Sequence, residues 1–318
     1  MTWFTTLRGM RILIAGISGM VGSAVALEAK AQGHEVFGKT SRELDLTDRE
    51  KVFAELVTVN PDALIIAAAK VGGIGANTSL PVDFLSTNLQ IQTNLLDGAH
   101  AAKIERVLFL GSSCIYPKFA KQPITESALM TGELEESNAP YAIAKIAGIK
   151  LVQSYRKQFN RHWISAMPTN LYGPRDNFDP ETSHVVPALI RRFHEAKISG
   201  AENVQIWGDG TPLRELLFVE DLARACLVLI GEYDEMSPIN VGSGHEISIL
   251  ELSKLIARIV SFSGRLSFDS SRPNGTPRKI LDSTRILDMG WSPQVDIEAG
   301  IIKTYRWFNE NEKGGNLG

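Results

Sequence analysis

Tyr141 and Lys145 stand four residues apart in the run Asn138-Ala139-Pro140-Tyr141-Ala142-Ile143-Ala144-Lys145. Asn138 and Pro140 read as a helix start, and the composition that follows carries the helix to about Gln158. Residues four apart are neighbours on a helix, so the ammonium can lie beside the phenol. A phenol titrating near pH 10 is a poor acid–base catalyst at neutral pH, and each unit of lowering needs about 1.4 kcal/mol of preference for phenolate. A nearby cation supplies part of that preference. Alone, such a pair is more often two surface side chains. A second stretch adds partners: Leu108-Phe109-Leu110-Gly111-Ser112-Ser113-Cys114-Ile115-Tyr116-Pro117 is an apolar run that stops at small side chains carrying hydroxyls and a thiol. A buried parallel strand shows such a run, and in open α/β sheets ligands sit beyond the carboxyl ends of strands. Ser112 and Cys114 then either face a ligand or belong to an ordinary Ser-rich turn after a strand, and the stretch alone does not decide between the two.

The elements that must position these groups begin near the N-terminus. Arg11 to Ala15 reads as a buried strand, and Gly16-Ile17-Ser18-Gly19-Met20-Val21-Gly22 leads from it into a helix over Ser23 to Gln32. Glycines allow the tight turn, the approach of backbone to a pyrophosphate and close helix–strand packing, while the helix N-terminus offers N–H groups to the anion. The spacing is G-x-x-G-x-x-G, not the literal G-x-G-x-x-G fingerprint, but its strand-to-helix setting points to a dinucleotide. The second strand, His34 to Phe37, runs into Gly38-Lys39-Thr40-Ser41-Arg42 where an NAD site needs an acidic residue for the ribose. Lys39 and Arg42 suit a 2′-phosphate, so NADP is expected over NAD.

Thr47-Asp48-Arg49-Glu50 reads as a capping box opening a helix with Val52, Phe53, Leu56 and Val59 on one face. Asp45 either leads that helix or faces the adenine. Asp62 to Ala69 reads as a third strand, and the glycine-rich Lys70 to Gly75 as a place where a cofactor can lie against backbone. A long helix from about Pro81 to Lys103 precedes the strand at Leu108. This βαβαβαβ alternation implies an α/β fold of the Rossmann type, a doubly wound parallel sheet with helices on both faces. Further on, helices are expected over Val185 to Lys197, Val219 to Ile230, after the cap Ser248-Ile249-Leu250-Glu251, and over Ile297 to Asn309, with a frayed end from Lys313 to Gly318.

The 318 residues are 44% hydrophobic and 22% charged, enough for a large core and against disorder. A net charge of -3 argues against general affinity for nucleic acid, so phosphate recognition must come from local basic groups. Two cysteines, Cys114 and Cys226, make no disulfide framework and fit a reducing compartment, with Cys226 reading as core. No run approaches the roughly 18 apolar residues of a membrane span, and the spaced glycines between Ile12 and Leu27 argue against a signal peptide. A cytoplasmic location is expected. No pair among the six histidines has the spacing of a zinc motif, so no metal is expected.

The order of glycine loop, Ser-bearing strand end and Tyr-x-x-x-Lys helix is that of the short-chain dehydrogenase/reductase superfamily. More specifically, Ala67-Ala68-Ala69-Lys70-Val71-Gly72-Gly73-Ile74, Gly111 to Pro117, Pro140 to Lys145, Met167-Pro168-Thr169-Asn170-Leu171-Tyr172-Gly173-Pro174 and Ser183-His184-Val185-Val186-Pro187 resemble the GDP-L-fucose synthase family of extended short-chain reductases. The resemblance runs from the glycine loop to Thr276-Pro277-Arg278-Lys279. It implies a catalytic set of Ser112, Cys114, Tyr141, Lys145 and His184. It implies NADP(H) held by Gly16, Gly19, Met20, Val21, Gly22, Lys39, Arg42, Ala68, Tyr141, Lys145, Pro168, Asn170, Leu171 and His184. A GDP-sugar would be held by Ser112, Asn170, Arg192, Trp207, Arg214 and Lys279, basic and aromatic groups suited to a diphosphate and a base. Some members carry Arg where this chain has Ser18, which leaves the 2′-phosphate to Lys39 and Arg42. The implied division is a dinucleotide unit over 1–172, to which the chain returns at about 216–242, and a smaller α/β substrate unit over 173–318. A homodimer is also implied, through the helices of Pro81 to Lys103 and Tyr141 to Gln158.

The implied reaction is epimerisation at carbons 3 and 5 of a 4-keto sugar, then reduction at carbon 4. Hydrogens flanking a ketone are acidified by it, and by the resemblance Cys114 is the base and His184 the acid on the opposite face, with imidazolium expected to favour thiolate. Other nucleotide-sugar reductases or epimerases, and a non-catalytic NADP-binding regulator, are the alternatives. A 4-epimerase needs no Cys/His pair, a 4,6-dehydratase would place acidic residues beside the Ser, and a regulator needs no such constellation.

Overall fold

The computed structural model describes residues 9–271, 274 and 276–312, so the expected frayed end at Lys313 to Gly318 lies outside the described residues. The chain opens with β1 (Arg11–Ala15), α1 (Met20–Ala31), β2 (Glu35–Phe37), α2 (Arg49–Val59), β3 (Ala63–Ile66), α3 (Ile74–Ser79), α4 (Asn88–Ala101), β4 (Arg106–Leu110), α5 (Ala139–Phe159) and β5 (His162–Pro168). It continues with β6 (Asn170–Tyr172), α6 (Val185–Ser199), β7 (Asn203–Trp207), β8 (Leu213–Phe218), α7 (Val219–Glu232) and β9 (Ile239–Val241). Then come β10 (Glu246–Ser248), α8 (Ile249–Val260), β11 (Arg265–Asp269), β12 (Arg278–Lys279), α9 (Thr284–Asp288) and α10 (Ile297–Glu312).

Six strands form one sheet in the order β2-β1-β3-β4-β5-β9, every neighbouring pair parallel. The order reverses beside β1, between β1 and β3, and a doubly wound sheet binds ligands at such a switch point. β3 and β4 have no exposed residue because helices cover both faces. Separate apolar clusters fill the two sides, one including Val25, Leu222 and Cys226, the other Leu56, Phe109 and Trp163. A third, with Phe178, Phe193, Ile256 and Phe308, belongs to the C-terminal elements. There β8 carries β10 antiparallel and β12 and β6 parallel, and β7 pairs with β11. β6 thus joins β8 and not the six-stranded sheet, while α7 and β9 return to that sheet.

Two local expectations are corrected. The cap of α2 is Asp48, whose Oδ1 accepts from Lys51 N at 3.1 Å, and not Thr47 in a capping box with Glu50. Thr47 is engaged one turn earlier, its N–H and hydroxyl both donating to Asp45 Oδ1 at 2.9 and 2.8 Å. Asp45 is therefore the lead-in to the helix. The long helix before β4 contains π-type turns over Asp83–Thr87, a local widening that sequence composition does not announce and that occurs often at functional sites. Ser248 and Glu251 form the expected capping box. No helix among the described residues is long and apolar enough to cross a membrane.

Candidate active site

The glycine loop is built for close approach. Gly16 has φ +89°, and a Cβ on it would lie 2.8 Å from Ala68 N; one on Gly22 would lie 2.0 Å from Gly16 O. These two glycines hold β1, β3 and α1 together. Gly19 faces open space, its nearest neighbour being Gly16 O at 3.5 Å from a built Cβ. It is the N-cap of α1 and offers no side-chain cap, so the first helical amides, Met20 and Val21 among them, lack intrahelical acceptors. This cradle fits a dinucleotide pyrophosphate.

At the end of β2, Gly38, Lys39, Leu44, Leu46 and Glu55 line a pocket against β1. Lys39 is paired there: its Nζ lies 2.5 Å from Glu55 Oε2. Arg42 is exposed and has no hydrogen bond or ion pair among the described residues. Of the two expected 2′-phosphate cations, Arg42 is the one free in this state.

β4 ends at Leu110, and the chain makes a single buried helical turn over Ser113–Ile115. Ser112 is extended and its Oγ accepts from Cys114 N at 3.4 Å, which leaves the hydroxyl proton free to point outward. Lys145, only 3% exposed, reaches from α5 to donate from Nζ to Leu110 O at 2.8 Å. Its Nζ is 4.8 Å from the Phe109 ring centroid and 5.8 Å from that of Tyr141. Tyr141 is held on its other side by Phe84, edge to face at 6.4 Å, and Phe84 sits on the π-type turns.

The electrostatics differ from the expected lowering of the phenol. Burial pushes the Tyr141 hydroxyl up, and a negative charge on Cys114 would push it further. Burial also pulls Lys145 down to about 8, so it remains mostly charged at neutral pH. Burial raises the Cys114 thiol, opposed by Lys279, by the hydrogen bond with Ser112 and by Lys145. The cations acting on Cys114 are thus two lysines, and not the imidazolium expected from the sequence. His184 has surface open to water yet is ringed by protein, and that crowding holds its imidazole below the ordinary range. Its ring makes no hydrogen bond or ion pair among the described residues, while its carbonyl accepts from Ala188 N at 3.0 Å; its segment reaches the site through Gly73 N, which donates to Thr182 O at 2.7 Å.

The substrate-side candidates fall into two groups. In the first, the β8–β12 register sets Arg214 opposite Lys279, and Lys279 acts on Cys114 across the two sheets. Arg214 donates to Leu213 O and Thr276 O at 2.8 and 2.6 Å. Burial lowers both Arg214 and Lys279, and like-charge repulsion from Arg214 lowers Lys279 further. In the second, Arg192 on α6 donates to Gln205 O at 2.8 Å, with its guanidinium carbon 6.0 Å from the ring centroid of Trp207, which is 59% exposed. Asn170 donates from Nδ2 to Glu215 O at 3.1 Å, and Pro168 and Leu171 flank it at the β5–β6 junction.

Glu215 is the residue that sequence reasoning missed. It is fully buried, and its carboxylate accepts from Gly244 N at 2.8 Å and Leu281 N at 3.0 Å. It pins the chain on either side of Arg214, Asn170 and Lys279. An Arg-Glu dipeptide reads as a solvated charge pair, and nothing local signals that both carboxylate oxygens are spoken for by distant amides.

The model of the NAD dependent epimerase/dehydratase family matches residues 12–242. "Probable GDP-L-fucose synthase 1" of Oryza sativa subsp. japonica is 53% identical over 306 residues, covering 96% of this chain and 93% of its own. The GDP-L-fucose synthase of Escherichia coli K12 is 49% identical, over 95% and 97%. A solved GDP-L-fucose synthetase from Naegleria fowleri bound to NADP superposes with a TM-score of 0.90 at 28% identity, covering 98% of both chains. With its glycine cradle, its Tyr141/Lys145 helix and relatives matching it end to end, the chain belongs to the NAD dependent epimerase/dehydratase family, among the GDP-L-fucose synthases.

Proposed function

We propose that this cleft turns GDP-4-keto-6-deoxy-D-mannose into GDP-L-fucose, by epimerisation at carbons 3 and 5 followed by reduction of the 4-keto group, with NADP(H) as cofactor. The observation that carries the reading is a thiol, Cys114, acted on by the charges of Lys145 and Lys279 in the same cleft as Ser112 and Tyr141. A simple ketone reductase has use for the Ser, Tyr and Lys. A thiol held near two ammonium groups adds a proton abstractor.

Ser112 and Tyr141 donate hydrogen bonds to the oxygen on carbon 4, which stabilises the enolate as an oxyanion hole does. The Cys114 thiolate takes the proton from carbon 3 or 5, the C–H electrons moving into the enolate. Imidazolium of His184 returns a proton from the opposite ring face, which inverts the centre, and both groups then re-equilibrate with solvent. Bound NADPH supplies the hydride that reduces carbon 4. Tyr141 gives its proton to the resulting alkoxide, and the Lys145 charge favours the phenolate left behind. Reduction removes the ketone and the acidity it confers, so the epimerisations come first.

Gly16, Gly19, Met20, Val21 and Gly22 would hold the pyrophosphate of the cofactor, Arg42 and Lys39 its 2′-phosphate, and Ala68, Pro168, Asn170 and Leu171 would complete the cofactor site. Arg192, Trp207, Arg214 and Lys279 take the GDP moiety, Arg214 and Lys279 its diphosphate. In this division 1–172, with the return at about 216–242, serves the dinucleotide and 173–318 the nucleotide sugar. The chain acts in the cytoplasm as a homodimer, supported by the apolar surface left open at Leu80, Val82 and Ile143, 44%, 73% and 48% exposed.

The test is NADPH consumption on GDP-4-keto-6-deoxy-D-mannose by wild type and by Cys114→Ser. Wild type should consume NADPH and yield GDP-L-fucose; the variant should keep NADPH affinity and lose that product. Failure of wild type to consume NADPH overturns the substrate.

A further inference from the structure

Two glycines of the Lys70 to Gly75 stretch also make close contacts with other parts of the chain. Gly73 donates its N–H to Thr182 O at 2.7 Å, and a Cβ built on it would sit 2.6 Å from Ser183 O. The next residue is His184. Its backbone is extended at φ −78° and ψ 172°, at the N-cap of α6, and its side chain does not serve as the cap. With no hydrogen bond or ion pair to its ring among the described residues, the direction of the imidazole is set by where this backbone is held.

Both halves of the contact are braced. On one side Asn77, 5% exposed, donates from Nδ2 to Gly72 O and Gly73 O at 2.8 and 3.0 Å. Asn88 holds the entry of the same loop, accepting from Lys70 N at 2.8 Å and donating to Lys70 O at 3.0 Å. On the other side Asp179 Oδ1 accepts from Thr182 N and Oγ1, each at 2.9 Å, and Asn177 Nδ2 donates to Thr182 Oγ1 at 2.8 Å. A Cβ on Gly72 would lie 3.1 Å from Phe84 Cζ, and Phe84 is the ring set edge-on to Tyr141. One glycine pair thus touches the segment carrying His184 and the ring that orients Tyr141.

We propose that Gly73 is a positioning residue for His184: the absence of a side chain there lets Thr182 and Ser183 seat against the loop after β3, which aims the imidazole at the sugar ring. This rests on the reading of His184 as the acid of epimerisation. Gly73 has φ −65°, a value any residue adopts, so Ala adds no backbone strain. It adds one methyl against a carbonyl.

The experiment uses the full chain and GDP-4-keto-6-deoxy-D-mannose in deuterated water, reading deuterium at carbons 3 and 5 per NADPH oxidised and the affinity for NADPH. A displacement of about 1 Å at a reacting group costs on the order of a hundredfold. Gly73→Ala should lower exchange about 10- to 100-fold with NADPH affinity within about twofold of wild type, and shift product toward sugar reduced without inversion. Should Gly73→Ala fail to fold, Thr182→Ala, which frees the same segment without adding atoms, is read instead and should move exchange the same way. Exchange within about twofold of wild type overturns the proposal, as does NADPH affinity falling in step with exchange. His184→Gln, run alongside, separates the two claims: loss of exchange there with none in Gly73→Ala sinks only the role of Gly73, whereas retained exchange in His184→Gln sinks both.

Discussion

The Lys145 ammonium is anchored to the last carbonyl of the central strand, donating to Leu110 O at 2.8 Å, and so is fixed relative to Ser112 and Cys114 two and four residues further on. Helix α5 carries Tyr141 and Lys145 on one face, and this bond docks that face on the strand end. The ammonium has two further N–H groups to spend on the phenol and a ligand.

Lys145→Met should therefore remove both the anchor and the charge. Reduction should fall by roughly 10²–10⁴-fold, the range for one positioned acid–base group. Single-turnover NADPH oxidation measures it, and a loss under tenfold would speak against the assignment.

Lys279 acts on Cys114 from β12, in the sheet built on β8, and that charge opposes the effect of burial on the thiol. In Lys279→Met the Cys114 thiol should titrate at higher pH than in wild type. The pH dependence of alkylation by iodoacetamide reports this directly. Cys226, fully buried and pushed up to about 12, should stay silent in both proteins.

Epimerisation should show a bell-shaped dependence on pH. His184 is held below its ordinary value of about 6.5 and Cys114 above its ordinary value of about 8.5, so thiolate with imidazolium is the minority pairing at every pH. Below the His184 pKa the imidazole is charged but thiolate is scarce, and exchange rises with pH; above the Cys114 pKa thiolate is full but imidazolium is scarce, and exchange falls. Between them the two effects offset. Solvent exchange without NADPH checks this, and a profile that rises monotonically to alkaline pH would remove His184 from the acid role.

Arg42 is open while Lys39 is occupied by Glu55. Arg42→Ala should raise KM for NADPH about 10- to 100-fold, the equivalent of one charge-assisted hydrogen bond, and leave KM for NADH nearly unchanged. Glu55→Gln frees Lys39 and should lower KM for NADPH. Steady-state kinetics with both cofactors separates these from a general folding defect.

Much of this architecture was legible because its signals are local. The glycine turn, the apolar strand ending in Ser112 and Cys114, and the i,i+4 spacing of Tyr141 and Lys145 each lie within about ten residues, and the parallel sheet follows from their alternation. What sequence could not give depends on partners far along the chain. Glu55 pairs with Lys39 across 16 residues and Glu215 takes the Leu281 amide across 66. Gly73 meets Thr182 through a contact no motif encodes. The sequence leaves the cap of α2 ambiguous because Thr47 and Asp48 are both good capping residues, and only the Asp45 turn decides between them. The phenol was expected low because the cation is visible in sequence and burial is not.

The most direct measurement is where solvent hydrogen ends up in the product. Wild type is incubated with GDP-4-keto-6-deoxy-D-mannose and NADPH in deuterated water, and the sugar is read by NMR. The account predicts GDP-L-fucose with deuterium at carbons 3 and 5, protium at carbon 4, and loss of both deuterons in Cys114→Ser. A reduced sugar without deuterium at carbons 3 and 5, or full incorporation in Cys114→Ser, would contradict a cleft in which this thiol inverts the ring before the ketone is reduced.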